Sequence, residues 1–125
     1  MQKAKVSQLF LLFTGLQHAC AFDDLIDSAM MQVRSMLRED ADDSDVRLCY
    51  LAAAAANLQY RQMIAARTVC SPTYAGDSAV QHSDTAACAL AERLAAEYRA
   101  AAAPLLRDDA FVFGTAASLC AGECP

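Results

Sequence analysis

The stretch from Asp45 to Arg67, DVRLCYLAAAAANLQYRQMIAAR, constrains the fold most, because it reads only as a helix and is apolar on more than one side. Ala52 to Ala56 run unbroken between Leu51 and Leu58. Alanine has the best helix propensity because it loses no side-chain entropy on ordering, and it lets a neighbouring helix axis come close. At 100° per residue Leu48, Leu51, Ala55 and Leu58 share one stripe, Tyr50, Ala54 and Ile64 fall on another side, and Tyr60 and Met63 lie between. A helix apolar on several sides is normally surrounded, so this segment is expected at the centre of a bundle. Arg47, Asn57, Gln59, Arg61, Gln62 and Arg67 interrupt the pattern, with long stems that can carry their heads to water.

The other segments read as helices laid against it. Val6, Leu9, Phe10 and Phe13 share a face within residues 6–16, and Gly15 is a natural stop. Phe22, just ahead of 23–38, and Leu25, Ile26, Ala29, Val33, Met36 and Leu37 within it recur at steps of three and four. Asp23 and Asp24 sit at the favourable end of that helix for acids, and Arg34 and Arg38 at the favourable end for bases. Met30 and Met31 are expected as core filler. In 83–107, Ala87, Leu90, Leu94, Tyr98, Ala101 and Leu105 suggest a heptad-type seam, with a kink or early end at Pro104. The expectation is an all-α, single-domain bundle of about four helices (6–16, 23–38, 45–67 and 83–107) over residues 1–109, followed by a tail over 110–125. A chain of 125 residues can bury enough surface to fold without metal or disulfide.

The links carry less. Glu39 to Asp45 (EDADDSD) holds five acids in seven residues, but with Asp40 as first ligand of a calcium loop, Asp45 would stand where glycine is needed and Leu51 where a bidentate glutamate is needed. It reads as a solvated turn with Asp42, Asp43 or Ser44 capping the next helix. Residues 68–82 are irregular, with Pro72, Gly76 and Asp77 as turn residues and Thr73-Tyr74 and Ala79-Val80 as arms of a small hairpin. Tyr74, Gly76 and Asp77, together with Phe111 and Phe113 of the tail, are the candidate protein-contact residues.

Net charge is −5, with eight arginines scattered rather than clustered, which argues against a nucleic-acid surface. The two histidines, His18 and His82, lack the glutamate three residues earlier that a ferritin-like metal site requires. No phosphate loop, dinucleotide fingerprint, zinc motif or nucleophile elbow is present, so neither a catalytic set nor a cofactor is expected. Of six cysteines, Cys49 and Cys88 lie in alanine-rich helical runs and Cys20 beside an apolar stretch, as small hydrophobes do. Reduced thiols and a cytoplasmic setting follow. The alternative is a secreted chain with disulfides, with residues 1–21 as signal peptide: two lysines, an apolar run from Leu9 to Leu16 and Ala19-Cys20-Ala21 trace that outline. Cys120 and Cys124 are a C-x3-C pair that oxidation or metal could join. No run reaches the roughly 20 apolar residues of a membrane span.

A short first helix, the stripe LIDSAMMQVRSML, an acidic turn, the alanine-rich DVRLCYLAAAAANLQYRQM, a loop with Gly76-Asp77 and a closing helix follow in that order. This arrangement resembles the small helical head-tail connector (adaptor) proteins of tailed phages and prophages over residues 6–107. The resemblance implies a non-enzymatic subunit in a ring of identical copies below the portal, with the loop and tail touching neighbouring subunits and portal or tail proteins. The acidic charge would suit a conduit that must not grip DNA. The rival reading is a bacterial helical bundle that binds another protein.

Overall fold

A computed structural model describes residues 1–70 and 77–107, with side chains placed for 1–67 and 84–107. Four α-helices occur among them: α1 (Lys3–Thr14), α2 (Asp23–Ser35), α3 (Val46–Cys70) and α4 (Asp77–Ala101), with single 3-10 turns at Cys20–Phe22 and Ala103–Leu105. The all-α bundle is as the hydrophobic periodicity requires. Of the hairpin read into 68–82, Ala79 and Val80 belong to α4, which begins six residues earlier than expected, and 68–70 still belong to α3.

Helix ends follow local chemistry. Gly15 stops α1 with φ of 76°, its amide donating to the Leu11 carbonyl at 2.9 Å; glycine takes this left-handed conformation without a Cβ clash. The cap of α3 is Asp45, whose Oδ1 accepts the Arg47 amide at 2.9 Å. The Asp42 carboxylate instead folds the preceding turn, accepting the Ser44 amide at 2.9 Å and hydroxyl at 2.6 Å. The expected cap was therefore off by one to three residues, because several acids in a row all suit the position. Pro104 falls in the 3-10 turn just past α4, where its missing amide costs no helical hydrogen bond.

α3 is the hub. It packs against α1, α2 and α4, whereas the backbone of α4 approaches only α3 and its own terminal turn. Leu48, Leu51, Ala52, Ala53, Ala54, Ala56 and Asn57 are all buried, in a full wrap around the helix. The core adds Val6, Leu9 and Phe10 from α1, Ile26, Ala29, Met30 and Val33 from α2, and Ala102 and Leu106 beyond α4. Each large side chain there contributes about 1.5–3 kcal/mol by leaving water. Phe10, Phe22 and Tyr60 form an aromatic cluster with centroids 5.1–6.1 Å apart.

The seam on α4 differs from the expected one. Among its described residues Ala91 and Ala95 are buried, with Ala102 buried just past its end, Leu94 and Tyr98 are half-buried, and Leu90 is 60% exposed. Facing an alanine-rich partner, small side chains go inward because they allow the axes to approach, and the bulkier leucine is left outside. Met31 is likewise on the surface, while Met30 is in the core. Tyr98 is the aromatic residue of this contact among the described ones, lying between Tyr50 (5.2 Å) and Phe13 (5.9 Å).

α2 ends at Ser35 rather than 38 because the next residues pair with the chain after α4. Leu37 and Leu106 form an isolated antiparallel bridge. The Arg38 amide donates to the Leu105 carbonyl at 3.0 Å and the Arg107 amide to the Met36 carbonyl at 2.8 Å. Arg38 Nε adds a bond of 2.8 Å to the Leu106 carbonyl. This joint fastens the far ends of α2 and α4, which do not otherwise meet.

Candidate interaction surfaces

Several titratable side chains in the described part are engaged locally at the surface. Lys3 lies 2.8 Å from Asp23 and 2.9 Å from Asp27, and the hydrogen bonds its ammonium donates to those two carboxylates raise its pKa. Asp42 is held below the usual carboxylate range by the Ser44 hydroxyl and amide. Asp45 is lowered by the Arg47 guanidinium and then the Arg47 amide, and Arg47 is raised in return. Asp43 receives the Met1 amino group at 3.0 Å and lies 3.8 Å from Arg34. The acidic link thus serves as a fastening between the starts of α1 and α3. Among the described residues no three His, Cys, Asp or Glu side chains converge as metal ligands would.

Two arginines of α3 close neighbouring helices. Arg61 donates to the Thr14 carbonyl at 3.2 Å, at the end of α1, and Arg47 to the Ala101 carbonyl at 3.4 Å, at the end of α4; both carbonyls lack a partner in their own helix. Fourteen residues of helix put the two arginines about 21 Å apart, and Tyr60 packs against Phe10 and Phe22. Arg47, Tyr60 and Arg61 therefore form no shared polar pocket. Cys49 is buried as expected of a small hydrophobe, Cys88 is half-buried, and Cys20 is exposed; all three are free thiols. Asn57 is the one buried polar side chain among the described residues, and its Oδ1 has no partner there.

Two surface features stand out. The first is a groove of about 190 Å³ over α3 between α2 and α4, formed where those helices flank the hub without their backbones approaching each other. Val33, Leu51 and Ala95 are its buried floor; Met36, Ala55 and Leu58 are half-buried; Gln32, Gln59, Gln62 and Arg99 give polar edges. Gln59 donates to Gln32 at 3.3 Å across one wall. The sequence signal for it was Gln59 and Gln62, polar residues on an otherwise apolar side of α3.

The second is the α3/α4 hairpin. With 25 residues each against 12 and 13 in α1 and α2, the two long helices run on past their shorter neighbours. Arg61 marks the end of α1, and α3 continues for nine residues to Cys70, about 13 Å. Over 61–67 and 84–90 no side chain is buried, and Met63 (37%) and Leu90 (60%) are exposed. Of the residues expected to make contacts, Asp77 opens α4 on this hairpin. Tyr74, Gly76, Phe111 and Phe113 lie outside the described residues, as do Cys120 and Cys124.

These features define a small all-α bundle with a projecting helical hairpin. In comparison with known proteins the chain matches no family model, no curated protein and no solved structure. No described helix is long and apolar enough to cross a membrane.

Proposed function

We propose that the chain is a non-catalytic assembly subunit working by contact, of the phage head-tail connector type, with the α3/α4 hairpin as its principal contact element. The observation that carries this reading is the length mismatch: α3 continues nine residues past Arg61, and exposed Met63 and Leu90 stand on that part of the hairpin. A ring of identical copies needs two different complementary patches on each subunit. Leu12 on α1 (73% exposed) offers an apolar residue on a separate helix from that arm. The order of elements, with a short helix, a striped helix, an acidic turn and a long alanine-rich hairpin, is consistent with that class.

Native mass measurement across a range of concentrations tests the proposal. The full chain is expected to populate discrete higher oligomers, and Leu90→Glu to shift them toward monomer with unchanged helical circular dichroism. A chain monomeric at every concentration, alone and with a portal protein, would overturn the reading. The rival, a bundle that binds one unrelated protein, draws on exposed Met31 of α2, away from the hairpin; a stable one-to-one complex abolished by Met31→Glu would favour it.

A further inference from the structure

The groove between α2 and α4 has the two-part chemistry of a small-ligand site, an apolar floor with a few polar groups at its edge. Its volume of about 190 Å³ falls below the roughly 300–1,000 Å³ of sites for drug-sized molecules and just above the roughly 150 Å³ of an apolar cavity that admits benzene. It therefore suits a hydrocarbon body of one ring carrying one polar group. The edge says which group. Gln32 and Gln59 bond each other at 3.3 Å and make a neutral wall. Arg99 is the sole charged residue of the lining, with no aspartate or glutamate beside it there. Unlike Arg47 and Arg61, which are tied to Asp45 and to the Thr14 carbonyl, Arg99 has no hydrogen bond or ion pair among the described residues. One unengaged guanidinium matches the planar, singly charged fork of a carboxylate; a phosphate carries more charge than it balances and has no use for the apolar floor. Position follows from the pairing of α3 with α4. Arg47 reaches the Ala101 carbonyl and Tyr50 packs on Tyr98, so Arg99 lies level with Leu51 at one end of the groove, and Gln62 stands about 16 Å along the helix at the other.

We propose that this groove binds a small monocarboxylate, with a hydrocarbon body of about one aromatic ring over Val33, Leu51 and Ala55 and the carboxylate on Arg99. Burial of the ring supplies most of the affinity, and the arginine, being exposed, adds selectivity for the anion. The site lies wholly on α2, α3 and α4, and the claim is independent of any ring of subunits.

Titration of the full chain with phenylacetate, followed in amide proton–nitrogen NMR spectra, tests this. Saturable shifts are expected at the amides of Val33, Leu51, Ala55, Ala95 and Arg99, with a millimolar Kd as befits so small a ligand. The neutral analogue 2-phenylethanol should bind the same residues about three- to fivefold more weakly, and Arg99→Gln should weaken phenylacetate by that factor while leaving 2-phenylethanol unchanged. Ala55→Leu fills the groove and should abolish the shifts with both compounds, with Ala55→Met taking its place if the leucine variant does not fold. Absence of saturable shifts, or shifts centred elsewhere, would overturn the proposal. So would phenylacetate affinity unchanged by Arg99→Gln, which would leave an apolar groove with no preference for an anion, or binding that survives the Ala55 substitution in folded protein.

Discussion

Ala54→Leu and Ala55→Leu make a matched pair that isolates packing from everything else. The two positions are neighbours in the same run, so the helix-propensity change is the same and only about 0.2 kcal/mol. Ala54 is fully buried, on the side of α3 shared with Arg47 and Arg61 at seven-residue steps, where Arg47 reaches the end of α4. Three extra carbons there must push the helices apart, at a cost of about 1–3 kcal/mol. We take the upper half of that range, since a rigid backbone rather than a flexible side chain has to give way. Ala55 is half-buried and opens on the groove, so its leucine finds space and leaves stability within about 1 kcal/mol of the parent. In urea, with a slope of about 2 kcal/mol/M, Ala54→Leu should lower the midpoint by about 1 M and Ala55→Leu by no more than about 0.5 M. Equal midpoints, or Ala54→Leu the more stable, would refute close alanine packing around α3.

Three further outcomes are expected. Asn57→Leu removes an unpartnered buried acceptor and should be neutral or stabilising by about 1–2 kcal/mol in urea melts, whereas Asn57→Asp buries a charge and should be strongly destabilising. Asp42 and Asp45 have folded-state pKa values below their unfolded ones, so their contribution is complete above the unfolded value of about 3.9 and is lost as pH falls through the folded value; Asp45→Asn keeps a capping oxygen and should flatten part of the stability loss below about pH 4 in thermal melts. Because they close the α2/α4 joint, the Arg38 and Arg107 amides should show slow hydrogen exchange although both lie outside helices; exchange at unprotected rates would show the joint open in solution.

The helices were legible because apolar spacing of three and four survives in α1, α2 and α3, and Gly15 and Asp23-Asp24 mark ends by simple chemistry. What the residues concealed was the inward face of α4. Leu90 and Ala101 suggested a heptad seam, but Ala91, Ala95 and Ala102 face the core, since small residues gain more from close approach than their own hydrophobicity suggests. The Leu37–Leu106 bridge joins positions 69 residues apart, and two- or three-residue pairings leave no periodic trace. The groove was visible only as Gln59 and Gln62 intruding on an apolar side, a pattern that solvent exposure explains equally well until α2 and α4 are placed.

The seam between α3 and α4 is smooth. Alanine against alanine offers few knobs to lock one rod against the other, so sliding by a helical turn, about 5.4 Å, sacrifices little of that contact. Tyr98, wedged between Tyr50 and Phe13, is a tooth that opposes such sliding, and the Leu37–Leu106 joint just past α4 holds the same register.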